Sequence, residues 1–105
     1  MKEIDERYIA ALDAFGFGMF RTKVGVNIYH TTSTGTFMIN LNGEDFVDML
    51  VSYAEAFNPN TWVSLTIKSH SSTPDISAML KNAKEIQMLL LRLAIKLVKI
   101  SKEVE

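Results

Sequence analysis

The feature that most constrains this chain is a run of about thirty residues near its C-terminal end, whose apolar side chains recur at helical spacing. Large aliphatic residues follow one another there in alternating steps of four and three, which is the pattern of a helix that packs along its whole length. The members of this first row are Met79, Ala83, Ile86, Leu90, Leu93, Leu97, Ile100 and Val104. We therefore predict one long helix over residues 74 to 103.

A second apolar row lies about 100 to 140° around this helix from the first. It consists of Met88, Leu91, Ile95 and Val98. The two rows cover more than half of the helix circumference, and leaving four such side chains in water would cost about 6 to 12 kcal/mol. That cost is comparable to the stability of a whole domain. The sequence therefore predicts that another chain covers the second row, and a homodimer is the simplest arrangement.

Length and composition place the chain among ordinary globular proteins. Its 105 residues suit one domain, so we predict a single α+β domain over residues 1 to 105. It has no cysteine, which excludes disulfides and thiolate chemistry and fits a reducing compartment. The charged start over residues 1 to 6 is unlike a signal peptide, and basic residues interrupt the longest apolar stretch. We expect a cytoplasmic protein without a membrane segment.

The first half of the chain combines one helix pattern with strand patterns. Residues 3 to 14 repeat apolar side chains at steps of three and four, and Gly16 suits the left-handed position that follows a helix. Residues 24 to 30 and 37 to 41 alternate apolar with polar side chains, and the turn-forming residues between them predict an antiparallel hairpin. A short strand over residues 19 to 22 would add a third to the sheet.

The second half adds a helix and a further predicted strand before the long helix. Asn42 can cap a helix that runs to about residue 57, where Pro59 prevents its continuation. Residues 61 to 68 alternate again and predict a strand that turns Trp62 away from the apolar side. The predicted fold is a small antiparallel sheet of three to four strands, covered on one face by helices, in the order α-β-β(-β)-α-β-α.

Two sets of exposed side chains are candidates for binding another protein. The first is an acidic row on the helix that follows Asn42, in a segment without any basic residue; it contains Glu44, Asp45, Asp48 and Glu55. A solvated helix face explains this row most simply, and the alternative is a patch that engages a basic surface. The second set is Tyr29 and Trp62, which fall opposite the apolar residues of their predicted strands and could anchor a contact.

The sequence contains no recognisable catalytic or metal-binding constellation. His30 and His70 have no acidic neighbour in sequence and none of the short spacings typical of a zinc site. The hydroxyl-rich runs at residues 31 to 35 and 69 to 73 could each bind a phosphate, the second at a helix start, but turn and cap chemistry already explains both. We therefore predict neither a cofactor nor an enzymatic activity.

A further set of residues, which with the turn at residues 32 to 35 and the final helix spans most of the chain, consists of Asn42, Gly43, Glu44, Asp45, Phe46, Met49, Leu50, Val51, Tyr53, Glu55, Phe57, Trp62 and Val63. In these residues the chain resembles small uncharacterised proteins encoded on prophages and other mobile elements of Gram-positive bacteria. Proteins of that setting include anti-CRISPR and other anti-defence inhibitors, which block a nuclease surface without catalysis. The resemblance implies such an inhibitor in the cytoplasm of the host cell, and it assigns no functional residue.

Two functions are open at this point. The first is a non-enzymatic protein-binding module, a homodimer that engages another protein such as a nuclease effector. The alternative is a nucleic-acid-binding homodimer that uses the basic face of the C-terminal helix, formed by Arg92, Lys96 and Lys99. A net charge of −1 weakens this alternative, although residues 61 to 105 hold seven bases and four acids.

Overall fold

A computed structural model describes residues 4–33, 35–42, 45–68 and 75–104. In this part of the chain the elements follow the order α1 (Glu6–Ala14), β1 (Gly18–Arg21), β2 (Gly25–Thr32), β3 (Gly35–Asn42), α2 (Phe46–Ala56), α3 (Pro59–Lys68) and α4 (Ile76–Val104). The predicted α+β class, with a small antiparallel sheet and a long C-terminal helix, is confirmed. None of the described helices is both long enough and apolar enough to cross a lipid bilayer.

The sheet has one face in the core and one face in solvent. Its strands pair antiparallel in the order β1-β2-β3, with Ile28 opposite Ile39 at its centre. Side chains on one face are buried and join the helices in one hydrophobic cluster; they are Val26, Ile28, Phe37, Ile39 and Leu41. Because successive residues of a strand point to opposite faces, the outer face carries Phe20, Tyr29 and Met38, which are exposed.

Gly16 ends α1 in the way that its position in the sequence predicts. Its φ of 81° lies in the left-handed region, which a side chain would disfavour. The N–H of Gly16 donates to the carbonyl of Asp13 at 3.0 Å, and the N–H of Phe17 donates to the carbonyl of Leu12 at 2.9 Å. These two bonds form a Schellman motif, which satisfies the last carbonyl groups of the helix and turns the chain into β1.

The strand predicted over residues 61 to 68 is wrong, because these residues form most of α3. The same Asn-Pro pair that ends α2 also starts α3. The Asn58 side-chain oxygen accepts the N–H of Thr61 at 3.1 Å, and Pro59 occupies the first helical position, where a missing N–H has no cost. The order of elements is therefore α-β-β-β-α-α-α.

The alternation that predicted this strand is also compatible with a helix. Val63 and Ile67 are four residues apart, so they lie on one helix face and pack in a small cluster with Met79 of α4. Leu65, which the strand pattern places beside them, is 61% exposed. An apolar run of this length fits both periods, and the cap at Asn58 decides between them.

The start of α2 also differs from its prediction. Asn42 is not a helix cap; it is the last residue of β3, where it pairs with Gly25. Asp45 occupies the cap position and accepts the N–H of Met49 on its main-chain carbonyl at 2.8 Å. Pairing in the sheet holds the backbone of Asn42 extended, so this residue cannot cap the helix. The cap position therefore lies three residues later than the prediction placed it.

The long helix predicted for the C-terminal region is confirmed as α4. Its 29 residues extend about 44 Å at 1.5 Å per residue, close to the longest dimension of the molecule, 47 Å. It packs against α1, α2 and α3. The first row is buried at Met79, Ala83, Ile86, Leu90, Leu93, Leu97 and Ile100. The side chain of Val104, the last member of the row, lies outside the described residues.

Candidate functional site

The second apolar row of α4 is exposed in the single chain. Met88 is 51% exposed, Leu91 40% and Ile95 68%, while Val98 is half-buried. In the described part of the chain no element buries Met88, Leu91 or Ile95, although α2 borders the row at Ile95 and Val98. The row therefore presents apolar surface to water, and its use as a dimer interface stays a prediction.

A groove of about 380 Å³ separates this row from α2. Residues of α2 and α4 line it, namely Val51, Ala54, Glu55, Ala94, Ile95, Val98, Lys99 and Lys102. The floor is aliphatic and the charged side chains stand on the walls. An apolar groove with a few charged groups at its rim suits the aliphatic face of a protein partner.

The groove arises from the way the two helices pack. The side-chain nitrogen of Gln87 donates to the carbonyl of Phe57, at the end of α2, at 3.4 Å, whereas Val51, earlier in α2, faces the later residues of α4. The helices therefore run antiparallel. Both helices contribute a buried alanine to the lining of the groove, Ala54 and Ala94. These short side chains leave the space that larger residues would fill.

The two walls of the groove carry opposite charge. Glu55 stands on the α2 wall, and Lys99 and Lys102 stand on the α4 wall. Asp48 lies seven residues, or about two turns, before Glu55, so it extends the acidic wall along α2. All four side chains are exposed, and in the described part of the chain none of them forms an ion pair with another. Their charges are therefore available to a partner.

The structure brings two sets of predicted residues together and leaves others apart. Glu55 of the acidic row and Ile95, Val98 and Lys99 of α4 line one groove, although the sequence gives no sign that they are neighbours. Asp45 is exposed at the cap position of α2. The remaining predicted contacts on α2 and α4 are Glu44, which lies outside the described residues, and Arg92 and Lys96, which are exposed but do not line the groove.

The two predicted aromatic anchors have different surroundings. Tyr29 is exposed on the outer face of the sheet, as its strand position predicts. The strand predicted for Trp62 does not form; its ring is partly buried in α3, 6.1 Å from the ring of Phe37 and 6.4 Å from that of Phe57. Trp62 therefore contributes to the core, and Tyr29 retains the surface position that a contact needs.

The described residues do not assemble a metal site. They contain no group of three histidine or acidic side chains that could hold a metal ion. The ring nitrogen Nδ1 of His30 lies 2.9 Å from the carbonyl oxygen of Gly16, and the ring packs on Phe17 at 5.4 Å. This histidine therefore joins the end of α1 to β2. His70 and the hydroxyl-rich run at residues 69 to 73 lie outside the described residues.

Sequence reasoning missed several residues of these surfaces. Val51, Ala54 and Lys102 line the groove, yet none belongs to a row that the sequence singles out. Phe20 and Met38 flank Tyr29 on the outer sheet face. The signal for Phe20 and Met38 is strand alternation, which places them on the side of Tyr29. The groove residues have no such signal in the sequence, because the groove forms only where α2 and α4 pack.

Comparison with models of protein families, with curated proteins and with solved structures finds no match to this chain. The functional proposal therefore rests on the geometry and charge of the surfaces described above.

Proposed function

We propose that this protein is a non-enzymatic binding module that associates with a second copy of itself through the groove between α2 and α4. The observation that carries the proposal is the exposed row Met88, Leu91 and Ile95 beside an apolar groove. Fully covering each such side chain contributes about 1.5 to 3 kcal/mol to the free energy of association. A symmetric pair covers both rows at once, which makes a second copy a sufficient partner.

The charge of the walls favours this occupant. A two-fold axis that runs along the groove, parallel to the helices, places α2 of one copy opposite α4 of the other. The rotation does not shift any residue along the axis, so residues at the same level in one copy are also at the same level across the pair. The acidic wall of one copy, with Asp48 and Glu55, then faces the basic wall of the other, with Lys99 and Lys102. This pairing places unlike charges at the rim and aliphatic side chains in the centre, the arrangement found in specific interfaces.

A single substitution in the row tests the association. We expect Ile95→Lys to convert a dimer into a monomer, because it places a charge in the centre of the apolar contact. Leu65→Lys is the matched control, since Leu65 is 61% and Ile95 68% exposed but only Ile95 lines the groove. Sedimentation velocity of both variants gives the answer. Equal masses for the two variants would contradict the proposal.

A charge exchange tests the orientation of the pair. Glu55→Lys and Lys99→Glu should each weaken association, by placing like charges face to face across the interface. The double variant restores unlike charges and should recover association toward that of the wild-type protein. Lys96→Glu, on the same helix but outside the groove, should have a smaller effect. Additive losses in the double variant would reject this orientation.

The narrower function of a nuclease inhibitor stays a prediction that rests on the resemblance to mobile-element proteins. The acidic wall is the surface that such an inhibitor would present to a basic nucleic-acid groove. If a purified nuclease effector competes with dimer formation, the acidic wall serves that partner. If it binds the dimer without dissociating it, another surface does.

A further inference from the structure

The sheet has two edges of different character, because β1 and β3 are its outer strands. β1 is four residues long and ends at Arg21, and a short edge strand with a charge resists pairing with another chain. β3 is eight residues long and contains neither a charged residue nor a proline. In the described part of the chain no strand pairs with its outer edge. β3 therefore lacks the features that usually protect an edge strand.

The register shows which backbone groups of β3 point to this open edge. The N–H of Thr22 donates to the carbonyl of Gly25 at 2.8 Å, so the backbone of Gly25 faces β1. Hydrogen-bonded positions alternate along an antiparallel strand. The even-numbered residues of β2 therefore face odd-numbered residues of β3, as Ile28 faces Ile39. The residues of β3 whose N–H and C=O groups point to the open edge are Thr36, Met38 and Asn40.

These backbone groups are available to another chain. In the described part of the protein, no hydrogen bond outside the sheet ladder involves residues 36 to 41. The side chains of Thr36, Met38 and Asn40 are exposed. Water can satisfy the open groups in the free protein, but an extended chain presents a matching row of donors and acceptors. An edge of this kind is a template for one more strand.

Half-buried aromatic side chains lie near Phe37 of β3, on the core side of the sheet. The ring of Phe37 is 5.9 Å from that of Tyr53 on α2 and 6.1 Å from that of Trp62 on α3. Met49, one turn before Tyr53 on the same flank of α2, is 37% exposed. An added strand would place every second side chain on this side of the sheet. Apolar residues at those positions would therefore find apolar neighbours.

This surface is separate from the groove of the proposed dimer. Val51 lines the groove, and Tyr53 lies two residues further along α2, or about 200° around the helix. The two surfaces therefore use opposite flanks of α2. A partner at the edge of β3 does not compete with a second copy in the groove.

The charge next to the end of β3 is negative. No lysine or arginine occurs between Lys23 and Lys68, a range that contains β2, β3, α2 and all of α3 before its last residue. Asp45, three residues after the end of β3, is exposed, and its side chain forms no capping hydrogen bond. A basic residue of a partner strand would complement this carboxylate. A second copy of β3 has no base to offer, so the charge favours a different protein.

We propose that an extended segment of another protein binds to the open edge of β3 as a fourth strand of the sheet. The segment runs antiparallel to β3, the more stable of the two pairings. Its apolar side chains recur at every second position and pack beside Met49, Tyr53 and Trp62. A lysine or arginine in its N-terminal part lies near Asp45, because antiparallel pairing places that part beside the end of β3. The proposal does not depend on self-association.

A phage-displayed library of random peptides of about ten residues, long enough to span β3, supplies the probe. Wild-type protein should enrich peptides that alternate apolar with polar residues and carry a lysine or arginine in their N-terminal half. One enriched peptide is then synthesised with a fluorescent label, and its affinity for the full chain is measured by anisotropy. A library without binders, or binders without alternation, would overturn the proposal.

Amide hydrogen exchange measured by NMR locates the bound peptide on the wild-type protein. The amides of Thr36, Met38 and Asn40 should exchange more slowly in the complex, because each gains an acceptor on the added strand. The amides of Phe37 and Ile39 face β2 and are internal controls, which should change less. Binding that leaves the first three amides unprotected would place the peptide elsewhere and refute the proposal.

A proline at the edge tests the backbone contribution. Asn40→Pro removes an N–H that points to the open edge, and it leaves the hydrogen bonds to β2 in place. It should weaken peptide binding by about 2- to 12-fold, the contribution of one backbone hydrogen bond. Asn40→Ala removes the same side chain, keeps the N–H and should bind more tightly than Asn40→Pro. Equal affinities of the two variants, with circular dichroism showing both folded, would contradict the proposal.

The mass of Asn40→Pro distinguishes a foreign peptide from a second copy. Light scattering should give this variant the same mass as the wild-type protein, because the edge of β3 is not used for self-association. A lower mass for the variant would show that a second copy occupies the edge, and it would overturn the proposal. The Ile95 variants test the groove independently.

A charge exchange tests the role of Asp45. Wild-type protein should bind the selected peptide more tightly than a version in which glutamate replaces its basic residue. Asp45→Lys should reverse this preference, because the partner charges then have unlike signs only in the glutamate peptide. Asp13→Lys is the control, since Asp13 is an exposed acid on α1, and it should keep the wild-type preference. The same preference in all three proteins would reject the basic partner.

Discussion

Leu90 and Leu91 are neighbours on α4 with the same side chain, yet Leu90 is fully buried and Leu91 is 40% exposed. Leu90 belongs to the first row, which α1, α2 and α3 enclose. Leu91 belongs to the second row, which no element of the described chain encloses. Helical periodicity determines which side chains share a face. The number of elements that pack against the helix determines which of its faces are covered. The sequence of the helix alone does not indicate that number.

The largest expected effect comes from truncating these two leucines in turn. Leu90→Ala should lower the free energy of unfolding by about 2 to 5 kcal/mol, because it removes a buried side chain and leaves a cavity. Leu91→Ala should lower it by less than about 1 kcal/mol in dilute protein, because its side chain is already partly in water. Urea unfolding measures both values. Equal losses would show that the two rows are not different in the folded chain.

A smaller effect should appear in the way the Tm of the protein depends on its concentration. If a second copy covers this row, the Tm of the wild-type protein rises with protein concentration, because association stabilises the folded state by mass action. The Tm of Ile95→Lys should not depend on concentration, and that of Leu65→Lys should follow the wild type. Calorimetry at several protein concentrations makes this comparison. A wild-type Tm that is independent of concentration would remove the support for a covered second row.

A third effect concerns the helix that covers the beginning of the first row. Val63 of α3 packs with Met79 and Ala83 of α4, and the Asn58 side chain caps α3. Asn58→Ala should cost about 1 kcal/mol of stability. Asn60→Ala is the control, because Asn60 is an exposed residue inside the same helix. A cap variant as stable as this control would argue against α3 as the structure of residues 61 to 68.

The smallest effect is a dependence on alkaline pH at Tyr53, whose half-buried ring packs against Phe37 at 5.9 Å and Phe57 at 6.1 Å. Burial raises the pKa of the Tyr53 phenol above its ordinary value. The neutral phenol therefore stabilises the fold fully below the ordinary pKa, near 10, and this contribution is lost as pH rises through the higher pKa of the folded state. Tyr53→Phe should make stability less dependent on pH above about 10. An unchanged dependence would assign it to other groups.

Much of the fold could be predicted from local patterns, and the errors occur where two patterns overlap. The two rows of α4, the glycine that ends α1 and the hairpin of β2 and β3 each have a signal within a few residues. Residues 61 to 68 satisfy strand and helix periods alike, and the cap that Asn58 provides favours the helix. Asn42 has good capping chemistry, but pairing with Gly25 across the sheet prevails over this local preference.

The candidate site was predictable only in pieces. The exposed row of α4 follows from counting apolar side chains around one helix. The groove requires α2 and α4 to run antiparallel, with a small residue from each helix, Ala54 and Ala94, in its lining. These residues are about forty positions apart in the sequence, and no local period carries that information. The pairing of an acidic wall with a basic wall therefore emerges only from the tertiary structure.

The most direct test of the central claim is the mass of the wild-type protein in solution, measured by light scattering during gel filtration. The account predicts a species of twice the chain mass of 11.8 kDa, which Ile95→Lys converts into one of 11.8 kDa. A wild-type protein that stays a stable monomer at micromolar concentration, with the same mass as Ile95→Lys, would contradict it.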